Sequence, residues 1–262
     1  MEIKMHPMLY TATKAIRSAG NFIATKYDFY NHFTNNSINK NYLINTIKKT
    51  AETIMITIIH QSYPNHIVHT INNNINTTNN TTQWIINILD NKINFLKKMP
   101  SFSLSIAVRI NNNTEIATIY NPINNELFTA ARGYGAQLNN YRLRINNNII
   151  SDILIISIDI NSKNCNNIIK LHKYAINKIL KQFINYRCTG SDNLDLAYVA
   201  AGRIDCFIRI YINSLNYYAG ELLIKEAGGR TANIMKLIHH SNMNIFIAGN
   251  QDLVNLLTQY KY

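Results

Sequence analysis

The sequence predicts an α/β fold from three features. The first sixty residues carry apolar side chains at helical spacing, the stretch from Ser103 to Ala131 carries short runs suited to strands, and the last hundred residues alternate between the two patterns. Pro7 to Lys26 reads as a helix: Pro7 suits the first turn, and Leu9, Ala12, Ile16, Ala19 and Ile23 share one face. A polar stretch from Asn31 to Asn41 leads to a second helical pattern through Leu43, Ile44, Ile47, Ala51, Ile54, Met55 and Ile58, expected to end before Ser62-Tyr63-Pro64. Asn72 to Gln83 is nearly all Asn and Thr and reads as an exposed loop, either a connector or a binding element. Ser103 to Ile110 and Glu115 to Tyr120 read as strands around Asn111-Asn112-Asn113. Glu126 to Ala131 precedes the turn-rich Arg132-Gly133-Tyr134-Gly135, and Ile153 to Ile160 is a further strand. Beyond it, helices are expected at Ile168 to Phe183, Asp192 to Ala201, Tyr217 to Ala227 and Asp252 to Tyr260, with strands at Ile204 to Ile210 and Ile245 to Ala248. Gly202 and Gly228-Gly229 supply helix stops. No internal repeat or linker interrupts the pattern, so one layered domain over residues 1–262 is expected.

With 262 residues and 47% hydrophobic content the chain can bury a sizeable core. No run of 18 apolar residues is present, and Met1-Glu2-Ile3-Lys4 lacks the pattern of a secretory signal. A cytoplasmic protein without a membrane partner is therefore expected. Cys165, Cys188 and Cys206 are scattered, which argues against a disulfide framework or a zinc knuckle. The formal charge of +12 arises from few acids, 14 Asp and Glu against 26 Lys and Arg. Two readings of it stay open: a surface that attracts RNA or acidic proteins, and codon drift toward Asn, Ile, Lys and Tyr, since about one residue in six is Asn.

The segment Trp84-Ile85-Ile86-Asn87-Ile88-Leu89-Asp90-Asn91-Lys92-Ile93-Asn94-Phe95 resembles the W-[VI]-I-D-P-L-D-G-T-x-N-F signature of the inositol monophosphatase family. Trp84, Ile86, Leu89, Asp90, Asn94 and Phe95 match in register, whereas Asn87 replaces the first aspartate, Ile88 the proline and Asn91-Lys92 the Gly-Thr pair. The resemblance covers nearly the whole chain. Ser62-Tyr63-Pro64 leads toward the strand that ends in the family's T-E-E-S, and Glu221 to Gly229 follows its W-D motif. It implies an αβαβα sandwich and a Mg²⁺-dependent phosphomonoesterase ancestry, in which clustered carboxylates hold up to three metal ions that activate water. By register, the ligand positions of that family fall at Ile71, Asn87, Asp90 and Asn216, with Leu215 in place of the W-D tryptophan and Leu89 offering a backbone carbonyl. One carboxylate of four survives, so Asp90 and Leu89 are at most a weak, vestigial metal site.

Asparagine offers Mg²⁺ a neutral oxygen and Ile71 offers nothing, while magnesium requires hard oxygen ligands in a near-octahedral array. At an effective dielectric near 20, each carboxylate lost about 4 Å from a cation forfeits on the order of 4 kcal/mol per unit of cation charge. No cofactor is expected, and Mg²⁺ only if family activity remains. Lys48 stands where the family has an aspartate, Arg209 where it has a substrate-side glutamate, and Lys92 where a threonine positions the attacking water. The vestigial catalytic positions are Ile71, Asn87, Lys92 and Asn216. Arg187, Arg209 and Lys92 are candidates for binding an anion without hydrolysis.

His6 to Leu9, Ser105 to Ile110, Asn125 to Ala130 and Leu194 to Arg203 narrow the resemblance to a bacterial branch of the family that works in transcription. That likeness implies a non-catalytic homodimer joining RNA polymerase and Nus factors on the rRNA leader complex, in antitermination and rRNA maturation. The alternative is a Mg²⁺-dependent inositol-1-monophosphatase with weak residual activity. Interface candidates are Arg187, Asp195 and Arg203; Asp195 and Arg203 form either a helix-surface ion pair or a subunit contact, and Arg187 is either a phosphate anchor or an interface residue. His60, His66 and His69, like His239-His240, read as surface or core residues rather than ligands. Gly133 and Gly135 read as turn residues.

Overall fold

The computed structural model describes residues 6–29, 40–70, 81–145, 154–159, 185–211, 217–238 and 241–259. Helix α1 (Pro7–Phe29) and helix α2 (Lys40–Ser62) precede β1 (Ile67–Thr70) and β2 (Thr82–Asn87), and the short α3 (Lys92–Leu96) follows. Next come β3 (Leu104–Ile110), β4 (Asn113–Asn121), β5 (Glu126–Ala131), β6 (Gly135–Leu138), β7 (Tyr141–Arg142), β8 (Ile155–Asp159) and β9 (Asn185–Arg187). The described chain closes with α4 (Asp192–Ala200), β10 (Cys206–Tyr211), α5 (Tyr218–Glu226), β11 (Arg230–Ile238), β12 (Ser241–Gly249) and α6 (Gln251–Gln259).

The strands form two sheets, one of seven strands in the order β1-β2-β3-β4-β5-β6-β7 and one of five in the order β11-β12-β10-β8-β9. In the first only β1 and β2 are parallel. Their side chains alternate between cores, as the period of two in a strand requires. Leu104, Ile106 and Val108 of β3 join Trp84 and Ile86 beneath α1 and α2, whereas Ala107 faces α4 and α5. In the second sheet Phe207, Phe246 and Ala248 turn toward α4 and α5, while Ile208, Ile245 and Ile247 turn toward Leu253, Val254 and Leu257 of α6. The layers therefore run helix pair, sheet, helix pair, sheet, helix. This is the αβαβα sandwich that the resemblance implies. Among the described residues no helix is long and apolar enough to cross a membrane.

Small residues set the spacing of the first layer. Ala12, Ala15, Ala19 and Ala51 are fully buried where α1 and α2 approach one another and the sheet. At Gly20 a Cβ atom would lie 2.5 Å from the Tyr120 ring, so only glycine lets α1 lie this close to β4. The asparagines also have a structural role. Asn111 and Asn112 connect β3 to β4 with both φ angles positive (49° and 66°), and Asn139 and Asn140 connect β6 to β7 in the same way (47° and 71°). These angles are those of the two-residue hairpin turn that favours Asn, which tolerates the left-handed region through local hydrogen bonding.

Three local expectations change. Helix α2 continues through Ser62 rather than ending before it, because the Tyr63 amide still donates to the Ile59 carbonyl (2.8 Å) and the chain turns only at Pro64. Thr82 and Gln83, expected in a loop, begin β2 by pairing with Ile110 and Arg109. Strand β11 has no clear alternation of its own and is formed by nine residues of antiparallel pairing with β12. The expected helix at residues 168–183, the histidines at 239–240 and most of the Asn-rich stretch lie outside the described residues.

Candidate functional site

The site begins where β2 ends. Asn87 is its last residue and pairs with Ser105, and the chain then passes through Ile88 and Leu89 to Asp90. Leu89 has φ 58°, a left-handed conformation that costs a non-glycine residue about 1–2 kcal/mol. Asn91 then caps α3: its Oδ1 accepts from the Asn94 amide (2.9 Å), and its Nδ2 donates to the Gly190 carbonyl (2.6 Å). Asn94 Nδ2 donates to the carbonyls of Ser101 (2.6 Å) and Thr189 (2.9 Å). These two asparagines fasten the motif to the Thr189-Gly190 turn.

That fastening leaves little room at Gly190, whose φ is +79° and whose Cβ, if present, would lie 2.6 Å from Asn91 Nδ2. Gly190→Ala is expected to lower the unfolding free energy by about 2–3 kcal/mol, from left-handed strain plus the displaced Asn91 bond. Urea denaturation measures it, and a loss below about 0.5 kcal/mol, the level of ordinary surface changes, contradicts this account.

Asp90 is held by serines. Its Oδ1 accepts from the Ser103 amide (2.8 Å), and its Oδ2 accepts from Ser103 Oγ (2.9 Å) and Ser191 Oγ (2.6 Å). Burial pushes its pKa up, and those hydrogen bonds, with one from the Asn91 amide, pull it down. Two further carboxylates lie nearby, Asp195 buried and Asp192 partly so. Asp192 accepts from Tyr217 Oη (2.5 Å) and Arg209 Nη1 (3.2 Å), and burial raises its pKa to about 7, with repulsion from Asp90 and Asp195 adding to the effect. Asp195 is 1% exposed and accepts from Ser157 Oγ (2.6 Å) and Thr189 Oγ1 (2.7 Å); burial raises its pKa to about 6.

On the α2 side the charges are positive. Lys48 is partly buried, and its pKa is lowered first by desolvation and next by Lys92, with Asp90 and Glu52 opposing. Lys48 therefore feels the Asp90 carboxylate on one side and the Lys92 ammonium on another. A groove of about 450 Å³ beside Lys48 is lined also by Asn45, Lys49, Glu52, Thr53 and Ile56.

Several expected site residues need correction. Arg209, a candidate anion ligand, is engaged with Asp192 in a half-buried ion pair. Asp195 and Arg203 are not partners: Asp195 is in the interior among hydroxyls, while Arg203 pairs with Glu126 and stacks over Tyr198 (5.0 Å). The reason is helical phase, which turns Asp195 inward from α4. Arg187 is exposed, and its Nη1 donates to the Tyr186 carbonyl (2.9 Å). Lys92 is exposed at the start of α3. Ile71 and Asn216 lie outside the described residues. His66 accepts from Trp84 Nε1 (3.0 Å) and stacks on Tyr63, a packing role, and His60 Nε2 lies 3.2 Å from the His66 carbonyl. Ser103, Ser191 and Asp192 joined the site without a motif to announce them; a hydroxyl that ligates a carboxylate looks like any other serine in sequence.

The described residues do not fit a magnesium cluster. Among them no group of three or more His, Cys, Asp or Glu is arranged to hold a metal ion, Asp90 already accepts hydrogen bonds from Ser103, Ser191 and the Asn91 amide, and the Lys48 ammonium that interacts with it opposes a cation there. The frame nevertheless has a clear relationship. A profile of the inositol monophosphatase family matches residues 4–252. The chain belongs to that family. It is 44% identical over 229 residues to a protein named Nus factor SuhB from Buchnera aphidicola subsp. Schizaphis graminum, covering 87% of this chain and 84% of that one. It is 39% identical over 260 residues to Nus factor SuhB of Escherichia coli K12, covering 97% and 95%. Among solved structures it superimposes on the extragenic suppressor protein suhB from Bartonella henselae with a TM-score of 0.75, 26% identity and 97% coverage of each chain. An inositol monophosphatase from Anabaena shares the fold with a TM-score of 0.74 at 24% identity, covering 96% of this chain and 95% of that one. Set against the inositol monophosphatase signature, the chain keeps the apolar frame and has Asn87 where the first aspartate is expected and Lys92 where a threonine is.

Proposed function

We propose that this protein is a Nus factor of the SuhB kind, a homodimer that acts through its surfaces on RNA polymerase, Nus factors and the rRNA leader complex in antitermination and rRNA maturation, without phosphomonoester hydrolysis. The observation that carries the reading is the 39–44% identity to proteins named Nus factor SuhB across most of the chain. The arrangement around Asp90 supports its non-catalytic part: the carboxylate is occupied by the Ser103 and Ser191 hydrogen bonds, and the Lys48 ammonium interacts with it where the family's chemistry needs metal-bound water. The charge of +12 suits a partner complex that contains RNA. The retained Asp90 and the strained Leu89 favour the second reading, a weak Mg²⁺-dependent inositol-1-monophosphatase.

Purified protein with saturating Mg²⁺ and inositol 1-phosphate is expected to release no phosphate above a blank. Metal-dependent turnover overturns the non-catalytic part. In parallel, immobilised protein is expected to retain RNA polymerase and Nus factors, and failure to retain either overturns the transcription part.

A further inference from the structure

We propose that the cavity beneath the β3–β4 hairpin binds one small oxyanion of the phosphate class, with Arg109 as its principal ligand. The cavity has a volume of about 170 Å³, and its lining includes Arg109, Asn112, Arg132, Tyr218, Glu221 and Lys225. It is separate from the Asp90 site. Arg109 pairs with Gln83 at the start of β2, whereas Asn87, at the other end, pairs with Ser105, four residues or about 13 Å back along β3.

The observation that points to a ligand is an unneutralised charge. Arg109 is only 8% exposed. Its Nη2 donates to the Asn112 carbonyl (2.7 Å) and its guanidinium lies 4.3 Å from the centre of the Tyr218 ring, but Nε and Nη1 are shut off from water without hydrogen-bond partners. Among the described residues no carboxylate pairs with it, whereas Arg132 has Glu115, Arg203 has Glu126 and Arg209 has Asp192. A guanidinium keeps its charge at any ordinary pH, and a buried charge without a counter-ion is strongly unfavourable. The missing negative charge therefore has to come from outside this set of residues, and the cavity that Arg109 lines is the place to receive it.

The lining selects the ligand class. Of the three cations that line it, Arg132 pairs with Glu115 and Lys225 with Glu221 (3.6 Å), which leaves the Arg109 charge in excess. Guanidinium groups suit oxyanions because their fixed N–H donors match the spacing of phosphate oxygens. A volume near 170 Å³ holds a single phosphate group. Because Nε and Nη1 are closed off, occupancy requires a small rotation of the Arg109 side chain toward the space it already lines.

The test uses the full chain in phosphate-free buffer, titrated with inorganic phosphate at constant ionic strength and followed by thermal unfolding and ³¹P line broadening. A saturable rise in the unfolding midpoint is expected. Half-saturation is expected to weaken about tenfold or more in Arg109→Gln, which loses a charge-assisted ligand, and about threefold in Lys225→Gln on the rim. Lys225 is exposed, so its variant keeps the test decisive if Arg109→Gln fails to fold. Lys48→Met is expected to leave the response unchanged; a response lost there but retained in the Arg109 and Lys225 variants assigns the anion to the Asp90 site and overturns the proposal. A 5′-phosphorylated trinucleotide and its 5′-hydroxyl counterpart identify the source: preference for the phosphorylated form over free phosphate assigns a nucleic-acid end, and preference for free phosphate assigns the ion. Response to none of them overturns the proposal.

Discussion

Trp84→Ala is expected to lower the unfolding free energy by about 3–5 kcal/mol, a large share of the roughly 5–15 kcal/mol that holds a typical domain folded. Trp84 is 0% exposed, packs in the core beneath α1 and α2, and lies 5.6 Å from the Tyr63 ring. Its Nε1 donates to His66 Nδ1 at 3.0 Å, so removal creates a cavity and leaves a partly buried acceptor without its partner. Urea denaturation followed by far-UV circular dichroism measures the loss, because the chain has a single tryptophan and the variant has none. Trp84→Phe keeps most of the volume and drops the N–H, and should lose less. A loss below about 1 kcal/mol for the alanine variant contradicts the packing described here. The His66 contact adds a pH dependence. Nδ1 must be unprotonated to accept, and burial lowers the His66 pKa from its ordinary 6.5. Its contribution is present above the unfolded pKa and disappears as pH falls through the depressed folded value, which wild-type Trp84 fluorescence should register.

The second large effect has the opposite sign. Asp192 and Asp195 have folded pKa values raised to about 7 and about 6 from the ordinary 3.8, chiefly by burial. The folded chain therefore holds protons that the unfolded chain has released. The stability these groups contribute is fully present below the unfolded pKa, near 4, and declines as pH rises toward 6 and 7. The loss is on the order of a few kcal/mol for Asp195 and smaller for Asp192, whose ionised form the Arg209 guanidinium favours. Asp195→Asn mimics the protonated form, so its unfolding free energy is expected to change less between pH 4.5 and 7 than that of the wild type. Asp195→Ala also leaves Ser157 Oγ and Thr189 Oγ1 without their acceptor, and is expected to lose about 2–4 kcal/mol at pH 5. An Asn variant with the same pH slope as the wild type contradicts the assignment of this titration to Asp195.

The contrast between these residues shows what a sequence makes legible. Trp84, Leu89 and Phe95 could be placed in the frame because their spacing matches a motif and all three are buried. Asp195 could not be placed, because a carboxylate next to apolar residues on a helix fits a surface ion pair as well as an interior acceptor. Only the rotation of α4 against β8 brings it to Ser157. Arg209 shows the same limit. Its charge was visible in the sequence, but its engagement with Asp192, 17 residues away, depends on how α4 lies against β10.

Family membership and the asparagine at position 87 of the motif are legible in the sequence alone, because residue identity and short-range spacing survive in one dimension. Tertiary structure decided which of the remaining charges meet. It brings Lys48 within electrostatic reach of Asp90, turns Asp195 inward, and leaves Arg109 buried with no carboxylate partner among the described residues. Charges interact through space with an energy that depends on separation and burial, and neither quantity is written in the order of residues along the chain.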